Sequence, residues 1–283
     1  MNILVTGAGG FSGRHLIELL RGSSSAEVYC TSLTARNEDN WFSCDLTRKA
    51  AAAALIEHVR PDQVYHLAGR HSNDYRTDYR ANVLSTLSLL ESIVKTKPQC
   101  RVLLVGSSAE YGSVPKGDNP VKEDHPLAPM SVYGLTKVYQ TYLMGFYCGL
   151  HNMDIVMARP FNLLGKGMSG KLFVGRVYEQ IEAYKSGTIY RILVGNLQHR
   201  RDYISVEQAV SYYTLIMQRG KTGQVYNVGS GVSTRIRDLL QRILEENGLS
   251  MEAVEERAFE GANKFDIKDL VADITKLKSL MNA

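Results

Sequence analysis

The stretch Asn2-Ile3-Leu4-Val5-Thr6-Gly7-Ala8-Gly9-Gly10-Phe11-Ser12-Gly13 runs from a short apolar segment through a glycine turn into a helical pattern. A strand that passes through glycines to a helix N-terminus can hold a dinucleotide pyrophosphate, because bared backbone N–H groups and the helix dipole form an anion site. Gly7 permits the tight turn, Gly10 lets the backbone approach the phosphates, and Gly13 lets helix and strand pack closely. Phe11 and Ser12, at the head of the helix, join them as candidate cofactor contacts. Glycine-rich stretches also mark plain flexible turns, so the rest of the chain has to decide.

Outward from that turn, apolar strand candidates at 2–6, 27–32, 63–67, 102–106 and 154–158 alternate with helical patterns at 13–20, 46–59, 82–95 and 133–149. Repeated βαβ units predict a parallel sheet with helices on both faces. Right-handed crossovers make it a doubly wound α/β sheet of the Rossmann type, with ligands beyond the carboxyl ends of the strands where strand order reverses. After Pro160 the rhythm loosens. A glycine- and lysine-rich loop at 165–175 leads to a helix at 176–184 and a strand at 190–194; a helix at 206–217 and a strand at 225–228 follow. From Ile236 the chain reads as mostly helical and polar. These segments predict a dinucleotide-binding domain from 1–160 and 196–230, and a smaller α/β substrate domain from 161–195 and 231–283.

The 283 residues are 44% apolar and 22% charged, enough for a sizeable core. A net charge of +4 without a Lys/Arg block of about five or more points to an anionic small molecule and away from nucleic acid. Cys30, Cys44, Cys100 and Cys148 have no metal-ligand spacing and read as reduced thiols of a cytoplasmic protein, with no metal site. Nothing at the N-terminus resembles a signal peptide, since the first strand and glycine turn begin at once, and no apolar run of about 18 residues is present to span a membrane.

Two further stretches carry chemistry. In Tyr133-Gly134-Leu135-Thr136-Lys137 the phenol and the ammonium share one helix face. A free tyrosine titrates near about 10, and a neighbouring cation favours its phenolate, so Tyr133 can exchange a proton with a carbonyl/alcohol pair. The plain alternative is a chance pair on a tyrosine-rich helix that also holds Tyr139, Tyr142 and Tyr147. In Gly106-Ser107-Ser108-Ala109-Glu110-Tyr111-Gly112, small hydroxyls follow a strand at the sheet's carboxyl edge, where one can stabilise charge developing on a reacting oxygen. An ordinary polar strand-to-loop transition reads the same way.

With Cys44-Asp45-Leu46, His66-Leu67-Ala68-Gly69, Asn82 and Arg159-Pro160-Phe161-Asn162, these stretches resemble the extended short-chain dehydrogenase/reductases of the NAD-dependent epimerase/dehydratase family, which act on nucleotide sugars. The resemblance implies a catalytic set of Ser108, Tyr133 and Lys137, with Ser107 as the alternative to Ser108. It places Asp45 and Leu46 beside the adenine, and Leu67, Ala68, Gly69, Asn82 and Pro160 around the cofactor. Ser72, Ser107, Ser108, Glu110 and Asn162 fall near the substrate. Within the family the likeness is closest to reductases of GDP-4-keto-6-deoxy-mannose, through Val194-Gly195-Asn196-Leu197, Arg201-Asp202-Tyr203, Tyr226-Asn227-Val228 and Ser230-Gly231. The Arg200/Arg201 pair then has diphosphate oxygens to grip, for which guanidinium forks are matched; a solvated surface charge pair is the alternative. Asp266, in Asn263-Lys264-Phe265-Asp266, stands where such reductases carry an Arg-Pro-x-Glu-like stretch, and its missing arginine leaves the base open. The resemblance also implies a homodimer through 82–95 and 133–149, and a substrate domain trimmed after Leu277.

Cofactor choice reads from the second strand, which ends Thr31-Ser32-Leu33-Thr34-Ala35-Arg36 without an acid. An Asp or Glu there would bind the ribose 2′-hydroxyl of NAD. Ser32 and Arg36 suit a 2′-phosphate instead, placing NADP ahead of NAD. The leading expectation is a reductase that delivers hydride to a keto carbon of a nucleotide-diphosphate sugar while Tyr133 donates the proton. A 4,6-dehydratase would need a carboxyl acid beside the hydroxyl; Glu110 has a similar offset, but the segment is one residue short before Tyr111, which should turn it away. An epimerase is a further alternative, and a non-catalytic NADP-binding sensor, which would commonly lack the tyrosine or lysine, is the last.

Overall fold

The computed structural model describes residues 1–23, 25–165, 167–170, 172–257 and 267–282. Its strands are β1 (Asn2–Thr6), β2 (Glu27–Ser32), β3 (Trp41–Ser43), β4 (Gln63–His66), β5 (Arg101–Val105), β6 (Ile155–Pro160), β7 (Asn162–Leu164), β8 (Ile192–Val194), β9 (Arg200–Ser205), β10 (Val225–Val228), β11 (Ser233–Arg235), β12 (Val254–Glu256) and β13 (Asp269–Leu270). Its α-helices are α1 (Phe11–Ser23), α2 (Lys49–Val59), α3 (Tyr75–Asp78), α4 (Ser85–Thr96), α5 (Val132–His151), α6 (Phe173–Lys185), α7 (Val206–Arg219), α8 (Ile236–Glu246) and α9 (Thr275–Ser279).

Seven strands form one parallel sheet in the order β3-β2-β1-β4-β5-β6-β10. The chain winds outward from β1 to β3, returns past β1 to β4, and winds the other way, so the order reverses between β1 and β4. This is the doubly wound Rossmann architecture expected from the alternating pattern. Alternate side chains of each central strand enter opposite cores. Ile3 and Val5 pack with α1 and α7, while Leu4 packs with α2 and α4. Burial on both faces is why these strands read as continuous apolar runs.

Beyond the sheet, β9 pairs with β7, β11 and β13, and β8 pairs with β12. A separate apolar cluster fills the space between α6 and α8, with Val177 and Ile181 against Leu240 and Leu244. The segment after α8 departs from the helical expectation. β12 pairs in register with β8, and β13 joins β9, so strand pairing overrides the helix-favouring Glu255-Glu256-Arg257 run. The 112–130 loop is tied to this late segment: Val121 N–H donates to Val271 O at 2.8 Å, and Asp273 N–H donates to Val121 O at 2.9 Å. Among the described residues no helix is long and apolar enough to cross a membrane, and all four cysteines are free.

Candidate functional site

A cleft of about 780 Å³ opens beside the reversal point, at the carboxyl ends of β1, β2 and β4. Of the residues expected at a cofactor, Gly7, Gly10, Ser32, Arg36, Asp45, Leu46, Leu67, Ala68 and Gly69 line it. Gly7 lies at φ +67°, and a Cβ there would sit 2.6 Å from the Ala68 nitrogen. Only glycine fits this left-handed turn and lets it touch the turn after β4. A Cβ on Gly13 would meet Gly7 O at 2.5 Å, so the helix and the turn pack backbone to backbone.

At the β2 end, Arg36 lies over the Trp41 ring, 4.4 Å from its centroid, and pairs with Glu38 at 3.5 Å. Its guanidinium comes within 3.6 Å of a Cβ built on Gly9, so it overhangs the glycine turn. Trp41 also donates its indole N–H to Ser32 Oγ at 3.1 Å. Trp41 was not anticipated, since the three-residue β3 has too little length to show a period. Asp45 accepts from the Thr47 backbone N–H and hydroxyl at 3.0 and 2.7 Å, and these bonds hold its carboxyl below the usual range.

Asn82 is fully buried in a π-helical turn, Tyr79–Leu84, rather than in a regular helix. Its carboxamide clasps Arg70, accepting from the N–H at 2.7 Å and donating to the carbonyl at 2.9 Å. It therefore shapes the turn that lines the cleft. Ser72 donates its N–H and hydroxyl to Asp78 at 2.9 and 2.6 Å, pinning the same loop. Phe11 and Ser12 begin α1, with the Phe11 ring edge-on to His15 and 3.3 Å from a Cβ built on Gly165. Pro160 ends β6, buried and in register with Val228. Asn162 donates to Asp202 O at 3.0 Å, and Arg201 donates to Arg200 O at 2.7 Å. Asp266 lies outside the described residues.

The catalytic candidates stand on α5, whose N-terminus is capped by Ser131 accepting from the Gly134 N–H at 3.0 Å. Lys137 is buried, with Nζ donating to Val105 O at 2.9 Å and Gln140 Oε1 at 2.8 Å. It stands 5.6 Å from the centre of the Tyr133 ring and 3.5 Å from a Cβ built on Gly69. Burial pulls the Lys137 pKa down to about 8, opposed by the carboxylates of Glu110 and Asp78. Burial pushes the Tyr133 phenol up to about 12, opposed by a hydrogen bond with the Ser107 side chain. Of the two adjacent serines, Ser107 is thus the one brought to the phenol, while Ser108 opens a 3₁₀ turn over Ser108–Glu110.

Glu110 departs from its expected place near a substrate. It is fully buried, accepting from Ser107 N–H at 2.8 Å, Thr141 Oγ1 at 2.6 Å and Arg159 Nη2 at 2.9 Å. The ion pair draws it beneath the turn, away from the cleft. Other residues at the site gave no expectation. The His71 ring lies 4.5 Å from that of Tyr133. Arg70, Arg76 and Arg80 line the cleft as Arg36 does, and the Arg76/Arg80 spacing of one helical turn was the signal available. The glycine cradle, the cleft's volume and the guanidiniums that line it fit a dinucleotide rich in phosphate.

Comparison with known proteins gives the family and the fold. The model of the NAD dependent epimerase/dehydratase family matches residues 3–229. A GDP-6-deoxy-D-mannose reductase from Pseudomonas aeruginosa is 28% identical over 262 residues, 90% of this chain and 83% of that protein. A UDP-glucose 4-epimerase from Mycolicibacterium smegmatis is 28% identical over 254 residues, 84% and 80% of the two chains. The structure of RMD from Pseudomonas aeruginosa complexed with NADPH superposes with a TM-score of 0.85 at 24% identity, covering 100% of this chain and 93% of that one.

Proposed function

Because the chain belongs to the NAD-dependent epimerase/dehydratase family, we propose that it is the NADPH-dependent reductase of a nucleotide-diphosphate-linked 4-keto-6-deoxy sugar, of the GDP-4-keto-6-deoxy-mannose kind. The observation that carries this reading is Arg36, laid over the glycine turn on Trp41, at the end of a strand that ends without a carboxylate. An enzyme that restores its dinucleotide within each turnover needs no 2′-phosphate grip. A net reductase drawing on NADPH does.

When bound, the nicotinamide supplies the hydride. The side chains handle the oxygen and its proton. Ser107 and Tyr133 present two hydroxyls to one carbonyl, and Tyr133, held protonated by burial, gives its proton as charge develops on the oxygen. Lys137, fixed on the same helix, stabilises the phenolate left behind. Asn162, Arg201 and Ser72 serve the nucleotide sugar, with 161–195 and 231–283 as its domain. Asn82 serves the cofactor indirectly, through the Arg70 turn.

The dehydratase alternative loses its acid, since Glu110 is engaged by Arg159. An epimerase reading draws on the mycobacterial relative. The chain also works as a homodimer, with Tyr142, Phe146 and Leu150 forming an exposed stripe on α5 for a second copy to cover. The deciding assay supplies purified protein with NADPH and a GDP-4-keto-6-deoxy sugar. One NADPH should be consumed per keto sugar reduced; product without NADPH loss would overturn the reductase reading in favour of the epimerase.

A further inference from the structure

We propose that Gln140 is a positioning residue for Lys137, tied through Thr86 to a chain of buried hydrogen bonds that begins at the cofactor-lining turn. This inference rests on the reading of Tyr133 and Lys137 as the proton-handling pair. The links are Ala68 N–H to Thr6 Oγ1 at 3.3 Å, Thr6 Oγ1 to His66 Nδ1 at 2.7 Å, and His66 Nε2 to Thr86 Oγ1 at 2.9 Å. Gln140 Nε2 meets the same Thr86 oxygen at 2.6 Å, and Gln140 Oε1 meets Lys137 Nζ at 2.8 Å. Thr6, His66, Thr86, Gln140 and Lys137 are all buried.

Counting hydrogens fixes the direction of every link. The Thr86 hydroxyl has one hydrogen, and it goes to Asn82 O at 2.6 Å. Thr86 must therefore accept from both His66 and Gln140. That places the His66 proton on Nε2 and leaves Nδ1 to accept from Thr6. It also leaves the Gln140 amide a single orientation. Turned over, its NH₂ would face the ammonium, and its oxygen would face a hydroxyl with no hydrogen to give. Gln140 thus presents a carbonyl to Lys137 and, with Val105 O, engages two of the three ammonium hydrogens. The third is left for the side of Gly69, itself a lining residue of the cleft and 3.5 Å, at its built Cβ, from Nζ.

The charged and titratable groups around Lys137 are Glu110 of the Ser108–Glu110 turn, Asp78 at the end of α3, His66 on β4 and Tyr133 on its own helix. Glu110 is paired with Arg159, and Asp78 is occupied by Ser72 and Asn73. Gln140 is therefore the side chain whose replacement changes the ammonium's surroundings most directly.

The test follows the Lys137 ¹³Cε resonance through a pH titration of the full chain without cofactor, assigned by its loss in Lys137→Met. Gln140→Met removes the acceptor and should lower the midpoint. Gln140→Glu adds a carboxylate and should raise it, by roughly one pH unit. The basic limb of kcat should move in the same two directions. A role in packing alone would lower kcat at every pH and leave the limb in place. If both variants leave the midpoint unmoved, or move it the same way, the inference is overturned. Thr86→Val should shift the midpoint as Gln140→Met does and Thr86→Ser should restore it, a pair that decides the matter even if Gln140 variants fail to fold. The reading of the pair itself is tested by Tyr133→Phe, which should abolish turnover; retained turnover would sink that reading while the titration still judges Gln140.

Discussion

Arg159 Nη2 donates to Glu110 Oε2 at 2.9 Å, with both side chains sealed from water. Removing one member of such a pair strands the other charge in the interior. Glu110→Ala is expected to cost about 3–5 kcal/mol, read by urea unfolding. A stability within experimental error of the native protein would mean that the carboxylate is not the guanidinium's counterion.

The two serines separate by kinetics. Ser107→Ala should lower kcat about 10²–10³-fold, the usual loss for a donor to a developing oxyanion, and Ser108→Ala much less. Ser107 also caps the turn over Ser108–Glu110, so its variant should lose about 1 kcal/mol of stability as well. A larger loss at Ser108 would hand the role to that residue.

Arg36→Ala should weaken NADPH about 10–100-fold in a fluorescence titration, the worth of one or two charge-assisted hydrogen bonds. NADH, which lacks the 2′-phosphate, should bind the variant as it binds the native protein. Equal losses for both would assign Arg36 to the pyrophosphate.

His66 is buried neutral, its pKa pushed down to about 3 by burial and, to a lesser degree, by Lys137. An unfolded histidine titrates near about 6.5. Between those values the unfolded chain binds a proton that the native protein does not, so stability falls as pH drops below about 6.5, by up to about 1.4 kcal/mol per pH unit. His66→Asn should flatten that slope in urea midpoints taken across the acid range. Parallel slopes would show that His66 titrates normally in the folded state.

Phe146→Glu places a charge in the exposed α5 stripe. Sedimentation equilibrium should give twice the chain mass for the native protein and a single chain for the variant. A native monomer would refute the pairing.

Local features were readable in advance because their physics is local. The glycine turn needs a residue free to adopt φ +67° at Gly7, and Tyr133 and Lys137 share a face because they are one helical turn apart. What depends on three-dimensional placement left little trace. Ser107 and Ser108 are chemically identical neighbours, separated only by the extended backbone of Ser107 (φ −164°, ψ 145°) before the turn tightens. A count of residues before Tyr111 pointed Glu110 away from the cleft, yet nothing marked Arg159 as its partner 49 positions later. Trp41 and His71 lie in short or polar segments where no period forms, and only the fold brings them against Arg36 and Tyr133.

The pairing of Val121 with Val271 and Asp273 has a consequence for how the protein is made. Asn119 Oδ1, which accepts from the Val271 N–H, lies 152 residues before its donor. On the ribosome, the strands up to β6 can assemble while the 112–130 loop still waits for a partner that has not been synthesised. The loop that follows the serines therefore gains its β6 and β10 contacts first, and its pairing with residues 271–273 only once they are made. A nascent chain can close its nucleotide cradle early, but it acquires a finished reaction chamber last.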